Sequence, residues 1–63
     1  MPVAHIYLLE GRTEEQKKKL IEAVTDAMVE TVGAKREGVR IILEEMKKEH
    51  FAIGGVTAKD LGR

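Results

Sequence analysis

There is no cysteine in this chain of 63 residues, which removes disulfides, thiolate zinc sites and cysteine nucleophiles together. Tryptophan is absent too, and tyrosine and phenylalanine occur once each, so aromatic packing adds little to any core. Serine and asparagine are missing and glutamine appears once, while glutamate and lysine are abundant. That bias leans toward a thermophilic source. Charge has no dominant sign: eleven Lys and Arg balance eleven Asp and Glu, which argues against the basic patch of a nucleic-acid binder. No apolar run approaches the roughly 18 residues of a membrane span, and no signal-like segment precedes the first apolar stretch. A soluble, cytoplasmic chain with neither nucleic acid nor membrane as partner is the expectation.

Size sets the next constraint. A domain near this length buries only about 60% of the surface its unfolded chain exposes. Small domains make up the shortfall with disulfides, a metal or partner subunits. His5 and His50 show neither HxxxH nor HxxE spacing, so a metal site is not expected. Self-association is the staple that remains.

What is present falls into a short order of elements. "VAHIYLL", Val3 to Leu9, is β-rich, with Ala4, Ile6 and Leu8 on one face and Val3, His5, Tyr7 and Leu9 on the other. Thr13 and Gln16 form a capping-box pattern, with Glu14 and Glu15 suited to a helix start. The helix should run from Glu14 to Val32, with Leu20, Val24, Ala27, Met28 and Thr31 inward, Ile21 and Val32 widening the stripe, and Gly33 as its stop. Lys17, Lys18, Glu22 and Glu30 then belong to a solvated face.

A second strand is predicted from Val39 to about Met46, with Val39, Ile41 and Leu43 on one side and Arg40, Ile42 and Glu44 on the other. "EEMKKEH" reads as an exposed, charged connection. Gly54-Gly55 is a turn between short β-compatible segments. The whole is one α+β domain over residues 1–63: two parallel strands with a right-handed crossover helix, plus a C-terminal β-hairpin. One sheet face and both edges stay open, so the chain is expected to oligomerise into a larger sheet.

"MP" at the start, "LLEGRT", "VRIILEEM" and "HFAIGG" together resemble the 4-oxalocrotonate (2-hydroxymuconate) tautomerase family, in order and over nearly the whole chain. The resemblance implies a βαβ chain with a terminal hairpin, assembled as a homohexamer that is a trimer of dimers. It implies removal of Met1, leaving Pro2 as an amino-terminal general base, and a site drawn from more than one subunit. The motif matches carry that site to Pro2, Arg12, Arg40 and Phe51, with no cofactor and no metal. The implied substrates are short unsaturated dicarboxylates bearing a 2-hydroxy or 2-oxo group, such as 2-hydroxymuconate.

Those residue types suit that chemistry. A base that takes and returns a proton works best with its pKa near the working pH. Two guanidinium charges and an apolar wall disfavour a protonated amine, so Arg12, Arg40 and Phe51 are expected to make Pro2 a weaker base than an ordinary amine. A guanidinium also binds a carboxylate through paired hydrogen bonds and stabilises charge developing on a 2-oxo oxygen. By resemblance, Arg40 takes the 2-oxo end and nearby carboxylate, and Arg12 the distal carboxylate.

Plainer readings exist for each residue. Met-Pro is a common start, Phe51 suits a core as well as a site wall, and Arg40 has an intersubunit ion pair with Glu44 or Glu10 as its structural alternative. Gly38, where a polar residue is expected, and Tyr7 depart from the family pattern. The alternative functions are a non-catalytic subunit of a hetero-oligomer, and a related hydratase or dehalogenase of small unsaturated acids.

Overall fold

A computed structural model describes residues 1–63. Strand β1 (Val3–Leu9) leads into helix α1 (Glu14–Val32), a 3₁₀ turn (Arg36–Gly38) and strand β2 (Arg40–Met46). A second 3₁₀ turn (Lys48–His50) then delivers the short strands β3 (Ala52–Ile53) and β4 (Val56–Thr57). β1 and β2 pair in parallel, from Val3 opposite Arg40 to Leu9 opposite Met46. β3 and β4 pair antiparallel. The expected βαβ unit and C-terminal hairpin are both present.

Local chemistry accounts for the boundaries. Thr13 Oγ1 accepts the Gln16 amide at 3.1 Å, and the Gln16 side chain accepts the Thr13 amide at 2.9 Å. Two otherwise orphaned helix donors are thereby satisfied reciprocally. Gly33, at φ 69°, takes the left-handed conformation that closes a helix without a Cβ penalty. Gly54 and Gly55, at φ 59° and 85°, supply the two positive φ values of a type I′ hairpin turn.

Three local expectations need correction. β2 begins at Arg40 rather than Val39, because the Val39 amide closes the preceding 3₁₀ turn on the Arg36 carbonyl at 3.2 Å and leaves the ladder. The inward helix stripe runs through Lys17, Leu20, Val24 and Met28, while Ala27 and Thr31 face outward. Lys17 therefore leaves the solvated face: its ammonium meets Glu45 of β2 at 3.0 Å. The "KKEH" connection is also more than a charged loop, since it folds into the second 3₁₀ turn with Lys48 half-buried.

α1 covers the sheet face formed by Ala4, Ile6, Leu8, Ile41 and Leu43, all half-buried. The opposite face stays bare, with Val3 51%, Tyr7 60% and Ile42 47% exposed. On it His5 Nε2 bonds Glu44 at 2.8 Å and the His5 and Tyr7 rings stack at 4.7 Å. Ala58 is the only fully buried residue, so one chain has no closed core of its own.

Shape agrees with that deficit. The radius of gyration is 14.6 Å, against about 11 Å for a compact chain of this length. The accessible surface of 4844 Å² exceeds by roughly 800 Å² what a folded monomer of this mass presents. That excess matches the area one partner commits to a standard interface, about 800 Å². No helix is long and apolar enough to cross a membrane.

Candidate active site

The four residues singled out in the sequence fall into two groups at opposite ends of the parallel sheet. Pro2 and Arg40 lie where the two strands begin: the Pro2 carbonyl accepts the Arg40 amide at 2.9 Å. Arg12 and the segment leading to Phe51 lie where the strands end, beyond Leu9 and Met46. Seven residues of β1 separate the ends, a span of about 23 Å at the usual rise per residue. One chain therefore does not bring all four residues together.

Each arginine is aimed by a backbone carbonyl and left without an acid. Arg12 Nη1 donates to the Leu9 carbonyl at 3.0 Å, which folds the side chain back over the end of β1. Arg40 Nη1 donates to the Glu37 carbonyl at 2.9 Å, so the Arg36–Gly38 turn sets its direction. That turn is itself tied to α1 by the Arg36–Asp26 ion pair at 2.7 Å. Arg36 is the only arginine in an ion pair within the chain. Within the chain, Glu44 bonds His5 and Glu10 bonds the Lys48 amide, so neither pairs with Arg40 of its own chain. Exposed and without an acid in their own chain, the two guanidinium groups present their donors to an anion.

A cavity of about 240 Å³ opens between the end of β1 and the first turns of α1, lined by Leu8, Arg12, Gln16, Lys17 and Leu20. Lys17 is neutralised by Glu45, and the Gln16 side chain is spent on the helix cap. Arg12 is thus the cavity's uncompensated cation, above two apolar leucines. A small carboxylate with an apolar stem suits that lining. Pro2, Arg40 and Phe51 do not line it.

Pro2 is half-buried at the start of β1. While Met1 remains attached, its nitrogen is a tertiary amide with no basic lone pair; removing Met1 makes it a secondary amine. Phe51, also half-buried, anchors the hairpin by accepting the Ala58 amide at 2.7 Å. Its intermediate exposure is compatible with both the core and the site-wall readings.

Sequence reasoning names Glu10 only as an alternative partner of Arg40, and misses its bond to the Lys48 amide and the Lys17–Glu45 pair. The pair was detectable: Lys17 shares the helical phase of Leu20, Val24 and Met28, and Glu45 shares the strand phase of Ile41 and Leu43. Two opposite charges in core-facing phase on adjoining elements announce a partner. Glu10 gave no such signal.

The tautomerase enzyme family model matches residues 2–61 of the chain. The 2-hydroxymuconate tautomerase of Comamonas testosteroni is 57% identical over 63 residues, the full length of both chains. Among solved structures, a 4-oxalocrotonate tautomerase isozyme of Methylibium petroleiphilum superposes with a TM-score of 0.92 at 60% identity, covering 98% of this chain and all of that one. A heterohexamer 4-oxalocrotonate tautomerase from Chloroflexus aurantiacus gives 0.89 at 33% identity, covering 97% and 98%. Full-length identity, a shared fold and the family match together establish that this chain belongs to the 4-oxalocrotonate tautomerase family and is an isomerase of that kind.

Proposed function

We propose that the chain catalyses ketonisation of short unsaturated 2-hydroxy dicarboxylates such as 2-hydroxymuconate, with the Pro2 amine as base after Met1 is removed. The amine takes the proton of the 2-hydroxyl group and returns it to carbon, at C3 or C5, as the dienol becomes the 2-oxo form. One proton leaves oxygen, one arrives at carbon, and the enzyme ends as it began. Arg40 stabilises the negative charge building on the 2-oxo oxygen and Arg12 holds the distal carboxylate. Phe51 forms an apolar wall that keeps water away from the amine.

The observation that carries this reading is the pair of site arginines, each aimed by a backbone carbonyl and neither neutralised by an acid. A dianionic substrate needs two such charges at separated points. In the proposed enzyme the Pro2–Arg40 end of one chain meets the Arg12–Phe51 end of another. The bare sheet face and the excess surface support assembly, proposed as a homohexamer built as a trimer of dimers. A cytoplasmic place in aromatic catabolism follows from the same substrate class.

The test is a spectrophotometric assay of 2-hydroxymuconate ketonisation, with intact mass establishing that Met1 is gone. Pro2→Ala, processed alike, is expected to lose about 10²–10⁴-fold in kcat, the usual contribution of a positioned base. Equal turnover by the variant would overturn the assignment of Pro2.

A further inference from the structure

We infer that Glu10 is a positioning residue that fastens the Phe51-bearing arm to the loop carrying Arg12. The inference rests on the reading above that Arg12 and Phe51 serve one end of the active site. Glu10 follows the last paired residue of β1, and its amide donates to the Met46 carbonyl at 2.9 Å, closing the ladder at the Leu9–Met46 pair. Its carboxylate Oε2 then accepts the Lys48 amide at 3.0 Å. Lys47, the residue preceding that turn, offers no side-chain cap. An acid just past the end of β1 therefore caps the first amide of the Lys48–His50 turn.

The rest of the arm hangs from this turn. The His50 amide closes on the Lys47 carbonyl at 2.8 Å, the Lys59 amide on the Lys48 carbonyl at 3.2 Å, and the Ala58 amide on the Phe51 carbonyl at 2.7 Å. On the other side of Glu10, the Leu9 carbonyl holds the Arg12 guanidinium. No other side-chain hydrogen bond joins the β1–α1 loop to residues beyond β2. One carboxylate thus ties the loop that carries Arg12 to the arm that carries Phe51.

Two substitutions remove the same bond from opposite sides. Glu10→Ala deletes the acceptor. Lys48→Pro deletes the donor at the first position of the turn, where proline is tolerated, and Lys47 already has the extended conformation (φ −67°, ψ 146°) that a following proline requires. Each is expected to lower kcat/KM for 2-hydroxymuconate about tenfold, mostly through KM. Glu10→Gln, which keeps an acceptor oxygen, should stay within about threefold of wild type, and the double variant should be no worse than either single one.

Amide hydrogen exchange reads the clamp without any substrate: protection of Lys48 and Ala58 should fall in Glu10→Ala and persist in Glu10→Gln. Active wild type with unchanged KM in both clamp variants overturns the positioning role. So do additive losses in the double variant, or unchanged Lys48 exchange in Glu10→Ala. Inactive wild type with the exchange result intact would instead fault the substrate reading and leave the clamp standing.

Discussion

Replacing Ile42 by glutamate on the bare sheet face should break the proposed assembly while leaving the βαβ unit intact. Ile42 is 47% exposed at the centre of that face, opposite His5 in the strand register. Burying the exposed half of an isoleucine is worth about 1 kcal/mol per copy. Burying an unpaired carboxylate instead costs several kcal/mol. The new carboxylate would stand two residues from Glu44 on the same face, and His5 already bonds Glu44, so one imidazole cannot satisfy both. A net penalty of about 4 kcal/mol per copy raises the dissociation constant by about a thousandfold. Sedimentation velocity across a dilution series would read this as a shift from oligomer toward single chains. Lys19→Glu, on the outward helix face and outside every ion pair, should sediment as wild type does. An Ile42→Glu protein with unchanged mass at micromolar concentration would refute the claim that this face is an interface.

Two further outcomes follow from particular contacts. Thr13→Ala removes the side-chain half of the capping box and should lower stability by about 1 kcal/mol, read as a shift of the denaturant midpoint at fixed protein concentration. Arg40→Lys keeps the charge but loses the fork that the Glu37 carbonyl aims; kcat for 2-hydroxymuconate should fall at least tenfold because one ammonium does not reproduce paired donors. Unchanged kcat would remove Arg40 from the transition state.

Much of the fold was written in local pattern. The phase of Ala4, Ile6 and Leu8, the Thr13–Gln16 box, Gly33 and the Gly54-Gly55 turn each specify a piece of backbone by short-range sterics or hydrogen bonding. They lie where expected. The misplaced details share a cause. Val39 is extended in conformation, yet its amide is claimed by a 3₁₀ turn, a competition that alternation does not encode. Ala27 and Thr31 sit at the edge of the apolar stripe, and the structure narrows it to the phase of Lys17, Leu20, Val24 and Met28, which sequence disguises because lysine is ordinarily a surface residue. Glu10 was illegible, since its partner is a backbone amide 38 positions away. The four candidate site residues came from motif resemblance. Only the three-dimensional arrangement reveals that Pro2 and Arg40 occupy one end of the sheet, and Arg12 and the segment leading to Phe51 the other.

That separation makes subunit complementation the most direct test of the composite site. Pro2→Ala and Arg12→Ala chains, each nearly inactive alone, would be unfolded, mixed in equal amounts and refolded together. If each site takes its proline from one chain and its Arg12 from another, random assembly leaves about a quarter of sites with both intact, and about a quarter of wild-type activity should return. Activity no greater than that of the separate variants, from a mixture shown by mass to be hetero-assembled, would place both residues in a single chain's site and contradict the account.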